Sequence, residues 1–360
     1  MDRSEIYKSD YLTQKELAKI SAIVIGDVAL DVNYVIEKST RRSPENRSIV
    51  IRDASKISYS PGAAGNIGMC LSNLGIDTTV IAPAAEKDTN WNIANDIMKR
   101  LGNISTVRVS GRHIPVYSKA VDEAGEQIDR IDYISRAHTR DDSDALNESL
   151  LELLGELGRE ASNTAIVVAD YEESSNTTLI NDEVIRTINM FGLPIYYTSR
   201  KGIGIYKRAS GVPCYLLMND VEYKAIPTMY SLLYSMDAYD IDGGIVVTMG
   251  DQGCACAMIR SPNGSDPGKP HYLYSPTLEL GAICNPCGCG DMFLSTFVGL
   301  TMIGMTNVSD ILMKCNAAAR VVGKFLQGTG VCTVSEMFRE TDILVKAGMR
   351  EKQTQWLEGS

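Results

Sequence analysis

The chain has 360 residues, 44% of them hydrophobic and 22% charged, which is enough to bury a full α/β core, and a net charge of −10 that argues against a nucleic-acid binder. No apolar run approaches the roughly 18 residues of a membrane span, and the polar stretch Met1–Ile20 has no signal-peptide core, so a cytoplasmic protein with no membrane partner is expected.

In chain order, residues 1–20 read as a peripheral N-terminal extension. Ala22–Ile25 is an apolar run ending in Gly26-Asp27, a buried strand feeding a loop. Ser48–Ile51 and Lys56–Tyr59 are shorter, partly polar strand patterns. Gly62–Gly75 sets Ile67, Cys70, Leu71 and Leu74 at helical spacing. Thr78–Ala82 predicts a strand and Trp91–Leu101 an amphipathic helix. His113–Ala120 and Gln127–Tyr133 flank Glu123-Ala-Gly125, a hairpin signal. From there helices (Leu146–Leu157, Asn176–Phe191, Tyr223–Tyr234) alternate with strands (Ala165–Ala169, Pro194–Thr198, Cys214–Met218, Gly244–Met249). Strands at Cys254–Ile259 and Tyr272–Ser275 and helices at Asp291–Met305 and Val308–Leu326 complete the pattern. Such alternation implies a mostly parallel sheet with helices on both faces. The strand-rich segments at about 28–60 and 110–135 interrupt it and predict a small β lid. One domain over 21–345 and a polar tail over 346–360 are expected.

Asn285-Pro-Cys-Gly-Cys-Gly-Asp291, set before a helical run, is the most informative stretch. Two glycines one residue apart permit a sharp turn with unobstructed amides. The helix then aims its first unpaired N–H groups and its positive dipole end at the same place, where a phosphoryl group fits. Asp291 beside an anion site makes sense if it takes a proton, the pairing that phosphoryl transfer to a hydroxyl requires. An ordinary helix-capping Asp is the bland alternative. Of nine cysteines, Cys284, Cys287 and Cys289 crowd this turn. A zinc site would need a fourth ligand, Cys254 or Cys256, in better-spaced pairs, so buried thiols in a reducing cytoplasm are expected instead. His113, His138 and His271 show no metal or triad spacing. Gly62-Ala-Ala-Gly65 lacks the dinucleotide spacing, and no P-loop Gly-Lys-Ser/Thr occurs.

Several separated segments resemble the ribokinase (phosphofructokinase-B) family of ATP-dependent sugar kinases. Gly26-Asp27-Val-Ala-Leu-Asp31 is similar to its first strand and loop, and Pro61-Gly-Ala-Ala-Gly-Asn66 to its first glycine-rich signature. Asn219-Asp-Val-Glu222 is similar to its N-x-x-E motif, and Thr248-Met-Gly250-Asp-Gln-Gly253 to its nucleotide-binding turn. Asn285–Asp291 stands at its D-T-T-G-A-G-D, and Asn316-Ala-Ala-Ala-Arg320 with Gly328-Thr-Gly330 resembles the helix and loop lining the nucleotide base. The matches are collinear from about 20 to 335. A narrower resemblance is to the kinase domain of the heptose-phosphate kinases of lipopolysaccharide precursor synthesis. It rests on Gly26–Asp31, Arg41-Arg-Ser-Pro-Glu45 and Pro61–Asn66 in that order, with Gln127-Ile-Asp-Arg130-Ile-Asp132 and Ala169-Asp-Tyr171 as further similar segments.

The resemblance implies a ribokinase-like three-layer α/β/α fold with a mostly parallel sheet and a small β lid. It makes Asp291 the general base, with the amides of Gly288, Cys289 and Gly290 around the migrating phosphoryl group. Asp27, Asp31, Gly62, Asn66 and Arg130 would bind the sugar, and Arg42, Lys119, Arg200 and Lys201 are further candidates for a substrate phosphate. Asn219, Thr248, Gly250, Gly253 and Asn316 would bind ATP, and Glu222 would hold Mg²⁺ through water. Family lids often pair between subunits, which makes a homodimer through the lid an expectation of the resemblance alone. The departures are Asn285 for the usual Asp, which undercuts the family's monovalent-cation site, Cys287 and Cys289 for Thr and Ala, and Thr198-Ser-Arg200 for an Asp-containing strand end. Ala63 and Gly65 exchange the usual Gly and Ala. The expected acceptor is D-glycero-D-manno-heptose 7-phosphate at its anomeric hydroxyl. The alternatives are another sugar or nucleoside for the same fold, or an inactive homologue that binds nucleotide or sugar.

Overall fold

The computed structural model describes residues 3–123, 125–171, 179–199, 213–224, 243–258, 271–280, 287–325, 330–349 and 352–353. The first element, α1 (Arg3–Leu17), belongs to the extension expected to be peripheral, yet Leu17 and Ile20 are buried in the core. Gly299 makes room for it, since a Cβ there would meet the Leu17 side chain at 2.8 Å.

Strand β1 (Ser21–Gly26) is buried along nearly its whole length. Its side chains alternate: Ala22 and Val24 enter one hydrophobic cluster, Ile23 and Ile25 another on the opposite face. Each such side chain contributes about 1.5–3 kcal/mol when fully buried. Chain order then gives β2 (Val28–Arg42), β3 (Val50–Ala63), α2 (Ala64–Asn73), β4 (Asp77–Ala84), α3 (Thr89–Gly102) and β5 (Ser105–Ser110). The lid hairpin follows as β6 (Val116–Val121) and β7 (Gln127–Tyr133), then α4 (Arg140–Leu157), β8 (Thr164–Asp170), α5 (Asp182–Met190) and β9 (Ile195–Ser199). The second half carries β10 (Cys214–Asn219), α6 (Asp220–Lys224), β11 (Gly243–Thr248), β12 (Cys254–Met258) and β13 (His271–Ser275). It closes with α7 (Cys289–Met302), α8 (Val308–Gly323), α9 (Val334–Lys346) and β14 (Lys352–Gln353).

One sheet has the order β14-β13-β12-β11-β10-β9-β8-β1-β4-β5, parallel from β5 to β11 and antiparallel beyond. Helices cover both faces, which makes the three-layer α/β/α arrangement expected from the alternation. The chain leaves β1 toward β4 on one side and returns to β8 on the other, so the crevice at the strands' C-terminal ends opens there. The second sheet, β3-β2-β6-β7, is the lid.

Several boundaries differ from expectation. The two short strands near 48–59 are one strand, β3, whose alternation was hidden by exposed polar residues on a largely solvent-facing hairpin. Edge strand β5 was not expected, because its mixed residues give no apolar run. The helix expected from Asn176 begins at Asp182, where Asn181 caps it by accepting from the Glu183 and Val184 amides at 2.9 and 3.0 Å. The helix expected over Tyr223–Tyr234 starts earlier, at Asp220, and residues 225–242 lie outside the described residues. Among the described residues no helix is long and apolar enough to cross a membrane.

All four passages between lid and core converge on Asp27, between β1 and β2. Its carbonyl accepts from the Ala64 amide at 2.8 Å, where β3 gives way to α2. Its buried carboxylate accepts from Arg112, ahead of β6, at 3.2 Å and meets His138 Nε2, past β7, at 2.5 Å. Asp142, in the first turn of α4, extends the cluster by a two-pronged pair with Arg136 at 2.6 and 2.8 Å.

Candidate active site

Helix α7 begins at Cys289, two residues earlier than the sequence suggested, so that Asp291 sits inside its first turn. Gly288 is the cap residue at φ +82°, a left-handed conformation that glycine adopts without penalty. No side chain caps the helix, which leaves the first-turn amides directed outward. Gly290 faces open space: a Cβ there would meet nothing within 4 Å.

Helix α2 brings a second N-terminus to the same place. Its cap residue, Ala63, has φ +53° and ψ −126°, a region that side-chain-bearing residues rarely enter. Gly65 stays small because a Cβ there would lie 2.8 Å from the Pro61 side chain. From this helix Asn66 donates to Oδ2 of Asp291 at 2.5 Å. The Tyr171 hydroxyl, just past β8, donates to Oδ1 at 2.9 Å. Both carboxylate oxygens are therefore held, one from each side of β1.

The lid supplies the opposite wall. Asp31 pairs across strands with Tyr117, and Lys119 with Arg130, so all four side chains share the face that lines the cleft. Lys119 Nζ lies 3.9 Å from Asp31 and donates to Cys287 Sγ at 3.3 Å, joining the lid to the glycine turn. Arg130 lies 5.2 Å over the Tyr117 ring and donates to Asp132 at 2.7 Å. Burial pushes the Asp31 carboxyl up from its ordinary value; Lys119 opposes this, and the nearby Asp291 reinforces it.

On the far side, Asn219, Glu222 and Thr248 line the same cleft, about 370 Å³ in volume. Asn219 and Glu222 cap α6 reciprocally: the Asn219 amide donates to Oε2 of Glu222 at 2.9 Å, and the Glu222 amide to Oδ1 of Asn219 at 2.8 Å. Among the described residues no group of three His, Cys, Asp or Glu could hold a metal ion by direct ligation. A magnesium ion that keeps its waters and sits on phosphates needs only one or two carboxylates, and Glu222 fits that demand.

The cleft thus gathers Asp31, Asn66, Arg130, Asn219, Glu222, Thr248, Gly288, Gly290 and Asp291. Other expected site residues stand elsewhere. Asp27 does not line the cleft, because its carboxylate serves the lid root described above. Gly62 lies behind Asp31, where a Cβ would approach the carboxylate at 3.1 Å. The Cys289 side chain packs toward the core. Gly250 (φ +58°) and Gly253 (φ +99°) shape the β11–β12 turn, and a Cβ on Gly253 would strike the Ser275 carbonyl at 2.2 Å. Buried Asn316 donates to that carbonyl at 3.0 Å. Arg42 donates to the Ser48 carbonyl at 3.2 Å, at the far end of β2. Arg200, Lys201, Asn285 and the Gly328-Thr329 half of the last loop lie outside the described residues. Tyr171 and Thr198 line the cleft without having been singled out as site residues. The Ala169-Asp-Tyr171 match was a signal for the first of them.

No family model matches the chain. It is 25% identical over 347 residues to the bifunctional protein HldE of Pseudomonas fluorescens, covering 91% of this chain and 65% of that protein. It is also 25% identical over 343 residues to the bifunctional protein HldE of Citrobacter koseri, covering 93% and 66%. The chain therefore spans just under two thirds of the length of these curated relatives. Among solved structures, phosphofructokinase-2 of Escherichia coli in complex with fructose-6-phosphate superposes with a TM-score of 0.62 at 14% identity, over 91% of this chain and 99% of that one. Ribokinase of Thermotoga maritima superposes with a TM-score of 0.55 at 16% identity, over the same shares. The fold is ribokinase-like.

Proposed function

We propose that the chain is an ATP-dependent sugar kinase moving the γ-phosphoryl of Mg·ATP onto a sugar-phosphate hydroxyl, D-glycero-D-manno-heptose 7-phosphate at its anomeric position being the preferred acceptor. The observation that carries this reading is the Asp291 carboxylate inside the uncapped first turn of α7, with Asp31 of the lid in the same cleft. Support for the acceptor class comes from the HldE relatives and from the sugar phosphate bound by the structural neighbour.

Asp31 accepts hydrogen bonds from sugar hydroxyls, and Lys119 and Arg130 meet the acceptor's own phosphate. Asp291 takes the proton of the attacking hydroxyl while its oxygen bonds to phosphorus, and ADP leaves. The amides of Gly288, Cys289 and Gly290 meet the charge on the migrating phosphoryl group, at about 3–4 kcal/mol per essential donor in comparable oxyanion sites. Asn219 and Thr248 border the nucleotide phosphates, and Glu222 would hold a magnesium ion through water, which would supply neutralising charge to the phosphates. The lid excludes water, the competing acceptor. Its outer face carries exposed Ile57, Tyr59, Ile131 and Tyr133, an apolar surface suited to a second lid in a homodimer.

The test is ADP release from Mg·ATP across heptose phosphates, hexose phosphates and free sugars. Turnover on heptose 7-phosphate is expected. Turnover on another acceptor alone would keep the reaction and discard the heptose. Silence on all of them, with ATP bound, would leave a binding protein.

A further inference from the structure

We propose that Tyr171 is a positioning residue for Asp291: its hydroxyl, 2.9 Å from Oδ1, fixes the plane of the carboxylate that receives the acceptor's proton. The proposal rests on the kinase reading above. Asn66 donates to Oδ2. A donor on the other oxygen fixes the carboxylate plane, which matters because a base displaced by about 1 Å loses on the order of 100-fold in rate.

Tyr171 is itself anchored. It follows the last residue of β8 and packs against the larger hydrophobic cluster, and the Thr198 side chain of β9 hydrogen-bonds its phenol. A polar chain Thr198–Tyr171–Asp291–Asn66 thus crosses the crevice where strand order reverses. Burial, and then the neighbouring Asp291 charge, push the phenol well above its ordinary value, so it stays a donor wherever the carboxylate is ionised. Among the described residues, titratable groups around Asp291 include Asp31, Lys119 and Arg130 of the lid, Glu222 of α6, Cys70 of α2 and Cys287 of the glycine turn. Tyr171 and Asn66 donate to its two carboxylate oxygens.

The experiment follows the Asp291 carboxyl in full-length protein labelled with carboxyl-¹³C aspartate, its resonance assigned by its loss in Asp291→Asn. Tyr171→Phe removes a hydrogen bond to the charged form, so the titration midpoint should rise by about one unit. On heptose 7-phosphate, kcat should fall by about 10- to 100-fold with the KM for Mg·ATP within twofold. Thr198→Val, which keeps both partners, should move the midpoint the same way by less. A folded Tyr171→Phe protein with an unmoved midpoint overturns the proposal, and so does a moved midpoint with unchanged kcat. If Tyr171→Phe does not fold, the Thr198→Val midpoint decides: a rise supports the positioning role and no change overturns it. If no acceptor is turned over, the kinase reading has failed while the titration still decides whether Tyr171 holds the carboxylate.

Discussion

Asn66 and Asp291 lie 225 residues apart in sequence, and their side chains meet at 2.5 Å because each occupies the first turn of a helix, α2 and α7, whose N-termini converge on one point. The two dipoles add at that point, which favours a bound anion and an ionised carboxylate alike.

Replacing Asp291 by Asn preserves shape and removes the proposed base. Turnover is expected to drop by about 10²–10⁴-fold with Mg·ATP affinity little changed, since general-base catalysis is worth that much. Steady-state kinetics beside calorimetric ATP titration checks it; a variant within tenfold of wild type would remove Asp291 from the reaction.

Glu222→Gln keeps an acceptor for the Asn219 amide and so keeps the α6 cap, while deleting the charge. The free Mg²⁺ needed for half-maximal rate should rise several-fold, with the unfolding midpoint within about 0.5 kcal/mol of wild type. An unchanged magnesium curve would free Glu222 from any role with the ion.

Ala63 offers a stabilising substitution. Its φ of +53° suits glycine, and strain at such positions costs about 1–3 kcal/mol against the roughly 0.4–1 kcal/mol by which glycine loosens the unfolded chain. Ala63→Gly should therefore stabilise by about 1 kcal/mol, read as a higher urea midpoint at constant slope. A lower midpoint would mean the backbone is relaxed as it stands.

The lid root predicts an acid-labile fold. Burial alone would raise the Asp27 carboxyl, but the hydrogen bond and charge of His138, with Arg112, hold it below its ordinary 3.8. Asp142, likewise against burial, is held at about 2 by Arg136 and the Thr139 amide. Carboxyls depressed in the folded state bind fewer protons there than in the unfolded chain, so their contribution is complete above about pH 4 and drains away toward pH 2. Urea midpoints measured across that range should fall steeply for wild type. Asp27→Asn should be less stable at pH 7 by about 3 kcal/mol, because it removes the carboxylate charge beside the buried Arg112 guanidinium, and should fall less steeply. Parallel curves for the two proteins would refute the assignment.

The outer lid face predicts association. Ile131→Lys puts a charge on that surface and should convert a dimer to monomers in sedimentation velocity. A wild-type chain that already sediments as a monomer at tens of micromolar would discard the lid–lid interface.

Most of the parallel sheet could be read in the sequence because β1, β8, β10 and β11 are buried on both faces and read as apolar runs. The lid hairpin was legible from its turn, and Asp291 from the glycines before it. What the sequence hid were long-range pairings. Asp27, next to a glycine at a strand end, reads as a ligand, yet its partners Arg112 and His138 lie 85 and 111 residues downstream. Tyr171 is an unremarkable tyrosine until the fold brings Asp291, 120 residues on, to its hydroxyl. The burial of Leu17 and Ile20 was likewise silent, since one apolar residue ending a charged helix and another just past it make no periodic signal.

The clustering of the lid's attachments at Asp27 also sets a mechanical ratio. Strand β2 runs 15 residues out from that point, an arm of roughly 45–50 Å at 3.3 Å per residue, while Asp31 lies only about 13 Å along it. A rotation that carries the Arg41–Asp53 tip through about 8 Å displaces Asp31 by only about 2 Å. Whatever grips the tip works through a long lever with Asp31 near its fulcrum, so coarse travel at the periphery becomes a fine displacement of that carboxylate in the cleft.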